Sequence, residues 1–127
     1  MRMSATPASV PTVDHVEGLF RGFADPTRVR ILNLLSAGEL CVCDLVAVLR
    51  LSQPTVSRHL AYLRRAGLVV ARPDLRFTYY RLSEPGDPVH QRLVACVHAC
   101  FDGIASLEQE RKAAIARVAA RRMSPCR

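Results

Sequence analysis

The segment ELCVCDLVAVLRLSQPTVSRHLAYLRRAGL, residues 39–68, constrains the fold most, because it encodes two short helices separated by a tight turn. The first helix is predicted to run from about Cys41 to Leu49. Ser52 is a typical N-cap and Pro54 occupies a first-turn position, so the second helix is predicted to begin there. It should run to about Ala66 and end at Gly67. Each helix has one apolar face for a core, formed by Leu45, Val48 and Leu49 in the first and by Val56, Leu60 and Leu63 in the second.

Two further helices are predicted before this segment. Apolar residues recur at helical spacing over residues 13–24. Asp25 and Pro26 are typical of an N-cap and a first helical position, so a second helix should begin there and stop at Gly38. Its apolar residues cover most sides, which predicts a central position in the core.

A hairpin and a last helix are predicted after the segment. Residues 68–72 and 77–82 are β-branched or aromatic runs with a turn between them. The last helix begins near Pro88 and has an apolar stripe as far as Leu107, which needs a partner such as the first helix or a second copy of the chain. The order α-α-α-α-β-β-α predicts a mainly α, winged helix-turn-helix fold that is dimeric through its terminal helices.

The charge is positive and uneven. The formal net charge is +7, from 18 Lys plus Arg against 11 Asp plus Glu. Between Ser52 and Leu82 there are six arginines and a single acid, Asp74. This local surplus favours a polyanionic partner over a merely solvated basic surface. With the order of elements, it predicts binding to double-stranded DNA.

The second helix of a helix-turn-helix lies in the major groove and reads bases from its N-terminal half. Glutamine and arginine can make bidentate contacts to adenine and guanine, and serine and threonine can reach bases or phosphates. The hairpin would be the wing, reaching phosphates or a minor groove, unless it is a plain cap on the sheet. The predicted DNA-binding residues are Gln53, Thr55, Ser57, Arg58, His59 and Tyr62 on the helix, and Arg72 and Arg76 on the wing.

The length and the cysteine content bound the remaining possibilities. A chain of 127 residues suits one domain, and it contains no apolar run of about 18 residues that could span a membrane. The first dozen residues lack the apolar core of a secretory signal, so we expect a cytoplasmic location. Because that compartment keeps thiols reduced, the five cysteines favour metal or redox chemistry over disulfides.

The motifs ELCVCDL, LSQPTVSRHLAYLRRAGLV and YYRL resemble the ArsR/SmtB family of bacterial arsenical-resistance repressors and metalloregulators, over roughly residues 16–107. The resemblance implies a homodimer that binds operator DNA when empty and releases it when metal binds. Ser57, Arg58 and His59 match the recognition-helix segment. Cys41 and Cys43 match the thiolate ligands of the arsenite and antimonite sensors, so As(III) or Sb(III) is the expected inducer.

The sequence departs from the family pattern at Val46, where a third thiol is usual. As(III) prefers three thiolates. On a regular helix Cys41 and Cys43 would point about 200° apart, so binding one atom would require the helix start to distort. The third ligand could come from Cys96 or Cys100, which share a helix face at i and i+4, from Cys126, or from an external thiol.

Other interpretations use the same fold. Asp87, His90 and His98 hint at a Zn(II) site on the last helix, although their spacing is poor. In a redox-sensing repressor, oxidation of the cysteines would replace metal binding. Alternatively, the cysteines are small buried residues with no sensing role. An enzyme is not expected, because neither a Cys-x-x-Cys redox motif nor a catalytic triad order is present.

The sequence also suggests three regions. We expect a flexible tail over residues 1–12, a DNA-binding and dimerisation domain over residues 13–110, and a basic end over residues 111–127. This end contains six cations and no acid, and it is expected to fray.

Overall fold

The computed structural model describes residues 11–123, with side chains through Arg121. Most of the predicted tail over residues 1–12, and Cys126, therefore lie outside the described residues. The elements in chain order are α1 (Val13–Phe23), α2 (Pro26–Leu35), β1 (Leu40–Cys41), α3 (Val42–Leu49), α4 (Gln53–Arg65), β2 (Val69–Asp74), β3 (Phe77–Leu82), α5 (Pro88–Ala99) and α6 (Ala105–Met123). The fold is mainly helical with a small antiparallel sheet, as the sequence predicts.

The core is built around α2, as its apolar content predicts. Residues 31–35 of α2 are all buried. The helix begins at the Asp25 N-cap, whose carboxylate accepts hydrogen bonds from the backbone N–H groups of Thr27 and Arg28 at 2.8 and 3.1 Å. The buried Asn33 side chain donates to the carbonyl of Leu107 at 2.9 Å, which joins α2 to α6. A polar side chain at the centre of the core is thus satisfied by the last helix.

The helix-turn-helix follows the predicted boundaries closely. Helix α3 ends at Leu49, and its C-cap Arg50 adopts a left-handed conformation with φ 58°. Ser52 is the N-cap of α4, and its hydroxyl accepts from the backbone N–H of Thr55. The inward stripe of α4 is completely buried at Val56, Leu60 and Leu63. The two helices therefore share one core across a turn of three residues, 50–52.

The sheet has three strands in the order β1-β3-β2, all antiparallel. The predicted hairpin is confirmed, and its turn consists only of Leu75 and Arg76, with Leu75 at φ 57°. Strand β1 was not predicted. It places Cys41 opposite Tyr79 in β3, so the segment before α3 is hydrogen-bonded to the hairpin rather than helical.

The prediction of one continuous last helix is wrong. Helix α5 ends at Ala99 with Cys100 as its C-cap, and α6 begins only at Ala105. Gly103, at φ 90°, lies in the turn between them. A left-handed glycine is compatible with a turn but not with a continuing helix, so the apolar stripe is divided between two helices.

The basic end also differs from the prediction, because residues through Met123 form α6 instead of fraying. Ala114 is completely buried, and α6 packs against α2 and α3. Arg30 of α2 forms an ion pair with Glu110 of α6 at 2.6 Å. A helix rich in alanine and arginine is thus held by specific contacts with the domain. Among residues 11–123, none of the helices combines the length and the apolar content that a membrane span requires.

Candidate functional site

Cys41 and Cys43 lie where β1 passes into α3. Cys41 is the N-cap and has extended backbone angles, φ −87° and ψ 167°. The expectation that the two side chains diverge is wrong, because only Cys43 lies on the helix. Their Cα atoms are 5.3 Å apart and their sulfur atoms form a disulfide, whereas the sequence favoured reduced thiols. The strand-to-helix change brings both sulfur atoms to one place without further distortion of the helix.

Asp44 completes this cluster, and the sequence analysis did not identify it. Its carboxylate accepts from the backbone N–H of Cys41 at 3.1 Å and lies 3.3 Å from the Cys41 Sγ atom. The ligand atoms of Cys41, Cys43 and Asp44 all lie within 4.8 Å of one another. An acid three residues after an N-cap is a typical capping position, which is the sequence signal for its role. The three residues could hold one metal or metalloid centre.

Two arginines of α6 bind the same carboxylate. Arg117 Nε donates to Asp44 Oδ1 at 2.9 Å, and Arg121 Nη1 donates to Asp44 Oδ2 at 2.8 Å. Arg121 also donates to the backbone carbonyl of Glu39, and its guanidinium lies 4.9 Å from the centre of the Tyr79 ring. The Asp44 side chain is only 5% exposed, so its charge is compensated by paired cations rather than by water.

The wing is connected to the same region by Arg72, one of the predicted DNA-binding residues. Arg72 forms an ion pair with Glu39 at 2.6 Å, and its guanidinium lies 4.8 Å from the centre of the Tyr79 ring. The hydrogen bond from Arg72 lowers the pKa of Glu39, and the same bond raises the pKa of Arg72. The structure thus places Arg72, which is exposed, against Glu39 just before β1, and it places Arg76 in the exposed turn of the hairpin.

Cys96 and Cys100 lie one turn apart at the end of α5. The hydrogen bond with Cys100 raises the pKa of the Cys96 thiol. Cys100 is exposed and Cys96 is half-buried. Within the described residues, they belong to no cluster of three metal-ligating side chains. In one chain the structure therefore does not unite them with Cys41 and Cys43.

The first half of α4 presents four of the predicted base-reading residues. Gln53 and Arg58 are exposed, and Thr55 and Ser57 are partly exposed. Gln53 Nε2 donates to the Ser57 hydroxyl at 2.8 Å, and the Ser52 hydroxyl donates to that of Thr55 at 2.9 Å. This is a surface of short polar side chains beside one long cation, which suits contact with base edges and phosphates.

His59 and Tyr62 lie on another side of α4. The His59 side chain is only 13% exposed, and its Nδ1 is 3.9 Å from a carboxylate oxygen of Asp25. Arg28 stacks on the Tyr62 ring, with its guanidinium carbon 4.0 Å from the ring centre. Both side chains contact residues at the start of α2, so they help to hold α4 in position against α2.

The residues considered for Zn(II) have other partners. Asp87 caps α5 by accepting from the backbone N–H of His90, and it pairs with Nε2 of His15 in α1 at 2.5 Å. The pKa of Asp87 is lowered most by the hydrogen bond from the His90 backbone, and also by the bond with His15. Burial lowers the pKa of His90, while His98 is exposed. In the described chain these residues form no cluster of three ligands.

Comparison with known proteins gives consistent matches. The profile of the family described as "Bacterial regulatory protein, arsR family" matches residues 25–70. The arsenical resistance operon repressor of Escherichia coli K12 is 44% identical over 104 residues, covering 81% of this chain and 83% of the relative.

Solved structures show the same architecture. The structure of HlyU from Vibrio cholerae N16961 has a TM-score of 0.61 and 33% identity, covering 69% of this chain and 92% of that chain. The homodimeric winged helix-turn-helix DNA-binding domain Mb0332 from Mycobacterium bovis has a TM-score of 0.61 and 32% identity, covering 71% of this chain and 81% of that chain. The winged helix-turn-helix prediction is thus confirmed.

Proposed function

Because the chain belongs to the arsR family of bacterial regulatory proteins, and is a DNA-binding transcriptional repressor rather than an enzyme, we propose that As(III) or Sb(III) is its inducer. The inducer binds the sulfur atoms of Cys41 and Cys43, and the repressor then dissociates from its operator. The observation that supports this most is the position of the two sulfur atoms, which lie together where β1 meets α3. Cys43 lies in α3, the first helix of the helix-turn-helix, and Cys41 pairs with Tyr79 in strand β3 of the wing.

The chemistry requires the reduced protein. Arsenite, As(OH)3, exchanges two hydroxyl groups for the thiols of Cys41 and Cys43, forming two As–S bonds and releasing two water molecules. Soft thiolates select a soft centre of this kind. The third position can remain a hydroxyl, accept an external thiol, or face the Asp44 carboxylate within the same cluster. Val46 supplies no ligand, which leaves this position open to the surroundings.

The active form is proposed to be a homodimer. Val13 and Phe20 of α1 are 83% and 54% exposed, which is unusual for large apolar side chains on a helix. The ion pair between His15 and Asp87 ties α1 to the N-cap of α5. The homodimeric assembly of the Mycobacterium bovis relative supports the use of such a surface by a second copy.

DNA binding is proposed to involve α4 and the tip of the wing. Arg58 is the exposed cation among the short polar residues of α4 and is the candidate reader of a guanine. Arg76 in the wing turn is the candidate phosphate contact. Arg72 is occupied by Glu39, so we expect its contribution to DNA binding to be indirect.

The test is a titration of the reduced, full-length protein bound to operator DNA. The DNA carries a fluorescent label, its anisotropy reports release, and a phosphine keeps the thiols reduced without supplying an external thiol. Arsenite should release the DNA. Release by an oxidant such as diamide after removal of the phosphine, without any response of the reduced protein to arsenite, would contradict the proposal and favour the redox interpretation. Release by Zn(II) alone would contradict it as well.

The same assay tests the proposed reader. Arg58→Ala should weaken operator binding by about 1–3 kcal/mol and relax base choice, whereas Arg76→Ala should weaken all sequences alike and reduce the salt dependence. Unchanged operator affinity in Arg58→Ala would show that α4 reads the DNA in another way or not at all.

A further inference from the structure

The contacts made by Arg117 and Arg121 have no role in the proposed function so far. Both arginines lie on α6, yet both bind Asp44, the residue that follows Cys43. Asp44 is nearly completely buried, so these ion pairs are partly shielded from water. Such a pair is costly to break from one side, because the remaining charge stays buried without compensation.

Arg121 connects three parts of the molecule with one guanidinium. It donates to Asp44 Oδ2 in α3 and to the backbone carbonyl of Glu39 before β1, and it lies against the ring of Tyr79 in β3. Tyr79 is also the strand partner of Cys41. The guanidinium therefore joins the start of α3, the residue just before β1 and the wing.

We propose that Arg117 and Arg121 hold Asp44 and the wing in the arrangement that binds DNA, and that inducer binding at Cys41 and Cys43 releases this hold. This inference rests on the proposed function, since it concerns how a ligand at the cysteine site affects the DNA-binding surface. Arg117 and Arg121 are positioning residues: both act on the inducer site through Asp44, and Arg121 also acts on the wing through Tyr79.

In the proposal, the inducer and the two arginines compete for the Asp44 carboxylate, which cannot serve both. In the structure it accepts from Arg117, Arg121 and the Cys41 backbone. Arsenic bonded to both sulfur atoms would lie beside the Asp44 carboxylate, because the ligand atoms of Cys41, Cys43 and Asp44 are within 4.8 Å of one another. A carboxylate that turns to the arsenic, or is displaced by its bulk, weakens its bonds with the arginines. The ligand thereby favours the state in which α6 and the wing are no longer joined to α3.

The test compares Arg121→Gln with Lys112→Gln in the full-length reduced protein. Lys112 is an exposed cation of the same helix, so both variants lose one positive charge. Three quantities are measured: operator affinity without arsenite, operator affinity with saturating arsenite, and arsenite affinity of the DNA-free protein. Far-UV circular dichroism verifies that the helices remain folded.

Relative to Lys112→Gln, Arg121→Gln should weaken operator binding without arsenite by about tenfold. By linkage, the arsenite affinity of the DNA-free protein should rise, and the remaining effect of arsenite on operator affinity should shrink. Arg121→Lys keeps the charge but loses the forked contact, so it should fall between the parent and Arg121→Gln. Arg117→Gln should give a smaller change in the same direction, because it removes one contact rather than three.

Two results would overturn the inference. One is an Arg121→Gln protein that matches Lys112→Gln in all three quantities. The other is a fall in arsenite affinity together with operator affinity, which indicates general damage to the fold. Failure of the proposed function looks different, because the unsubstituted protein itself would then show no release by arsenite.

Discussion

The two described pairs of cysteines lie in surroundings that differ in backbone and in charge. Cys41 and Cys43 are separated by one residue at a change from strand to helix, beside a buried acid held by two arginines. Cys96 and Cys100 are separated by three residues at the end of α5, where Cys100 is exposed. On regular helices the second spacing would favour a shared ligand and the first would not. The irregular backbone at Cys41 reverses that expectation, so local conformation decides which pair can serve as a site.

The two regions also compensate their buried acids differently. Asp44 is bound by arginines, which remain charged at any ordinary pH. Asp87 is bound by His15 and by the backbone N–H of His90. We expect the α3 region to respond to a ligand, and the α5 region to respond to pH through the buried His90, whose pKa is lowered by burial. The following predictions test this division, from the largest expected effect to the smallest.

Cys41→Ser and Cys43→Ser should each abolish release by arsenite while leaving operator binding intact. A serine hydroxyl is close in size but stays protonated near neutral pH and is a hard donor, so it cannot replace a thiolate. The arsenite concentration for half-release should rise by at least about 100-fold, more than the loss of an outer-shell partner usually costs. The anisotropy titration measures this, and normal release in both variants would place the inducer elsewhere.

Asp87→Ala should destabilise the protein by about 1–2 kcal/mol, because the carboxylate is a helix N-cap. Urea unfolding gives the change in free energy. The control is Asp102→Ala, whose carboxylate is exposed and 3.5 Å from Arg111, and which should cost only a few tenths of a kcal/mol. Equal losses in the two variants would show that Asp87 has no special role in α5.

The free energy of unfolding should fall as the pH falls below 6.5, the ordinary pKa of histidine, because burial lowers the pKa of His90. The unfolded chain then binds a proton more readily than the folded chain does. The contribution of His90 to the free energy of unfolding is therefore fully present above pH 6.5, and it declines as the pH falls towards the folded-state pKa. Asp87 raises and His15 lowers the pKa of His90 electrostatically, with smaller effects than burial, and the Ser83 hydroxyl lies 3.4 Å from its Nε2. Because the Asp87 pKa lies below 3.8, its own contribution is lost only at much lower pH.

Urea unfolding at several pH values between about 7.5 and 5 measures this slope. His90→Gln should flatten it, while His98→Gln, at an exposed position of the same helix, should leave it unchanged. A slope of the same size in His90→Gln would assign the pH dependence to another group.

Cys96→Ser and Cys100→Ser should have the smallest effect. Within the described residues they lie outside the cluster of Cys41, Cys43 and Asp44. The arsenite midpoint should therefore change by less than about threefold, as for substitutions away from a site. A large loss of arsenite response in either variant would remove the contrast between the two pairs and identify α5, from the same chain or from a second copy, as the source of a third ligand.

The elements with local signals could be predicted from the sequence. Asp25 with Pro26, and Ser52 with Gly67, mark helix ends through interactions with near neighbours, and α2 and α4 lie where these residues indicate. Strand β1 could not be found in this way, because it is only two residues long and depends on Tyr79 in a distant part of the chain. The arrangement of Cys41 and Cys43 follows from that strand and was missed with it.

The second half of α6 was mispredicted for a similar reason. Its arginines suggest a solvated end, but Arg117 and Arg121 are paired with Asp44, which neither spacing nor composition reveals. The break before α6 did have a local signal in Asp102 and Gly103, a pair typical of turns. The continuous apolar pattern on both sides obscured it.

The two sulfur atoms of the proposed site belong to residues only two positions apart, so their proximity is a property of the chain as well as of the fold. An unfolded chain still keeps Cys41 and Cys43 within reach of one arsenic atom, although it separates Asp44 from Arg117. A ligand raises the melting temperature only as far as it prefers the folded state to the unfolded one. Arsenite should therefore shift the melting temperature far less than its affinity implies, and a thermal-shift screen would undervalue the proposed inducer.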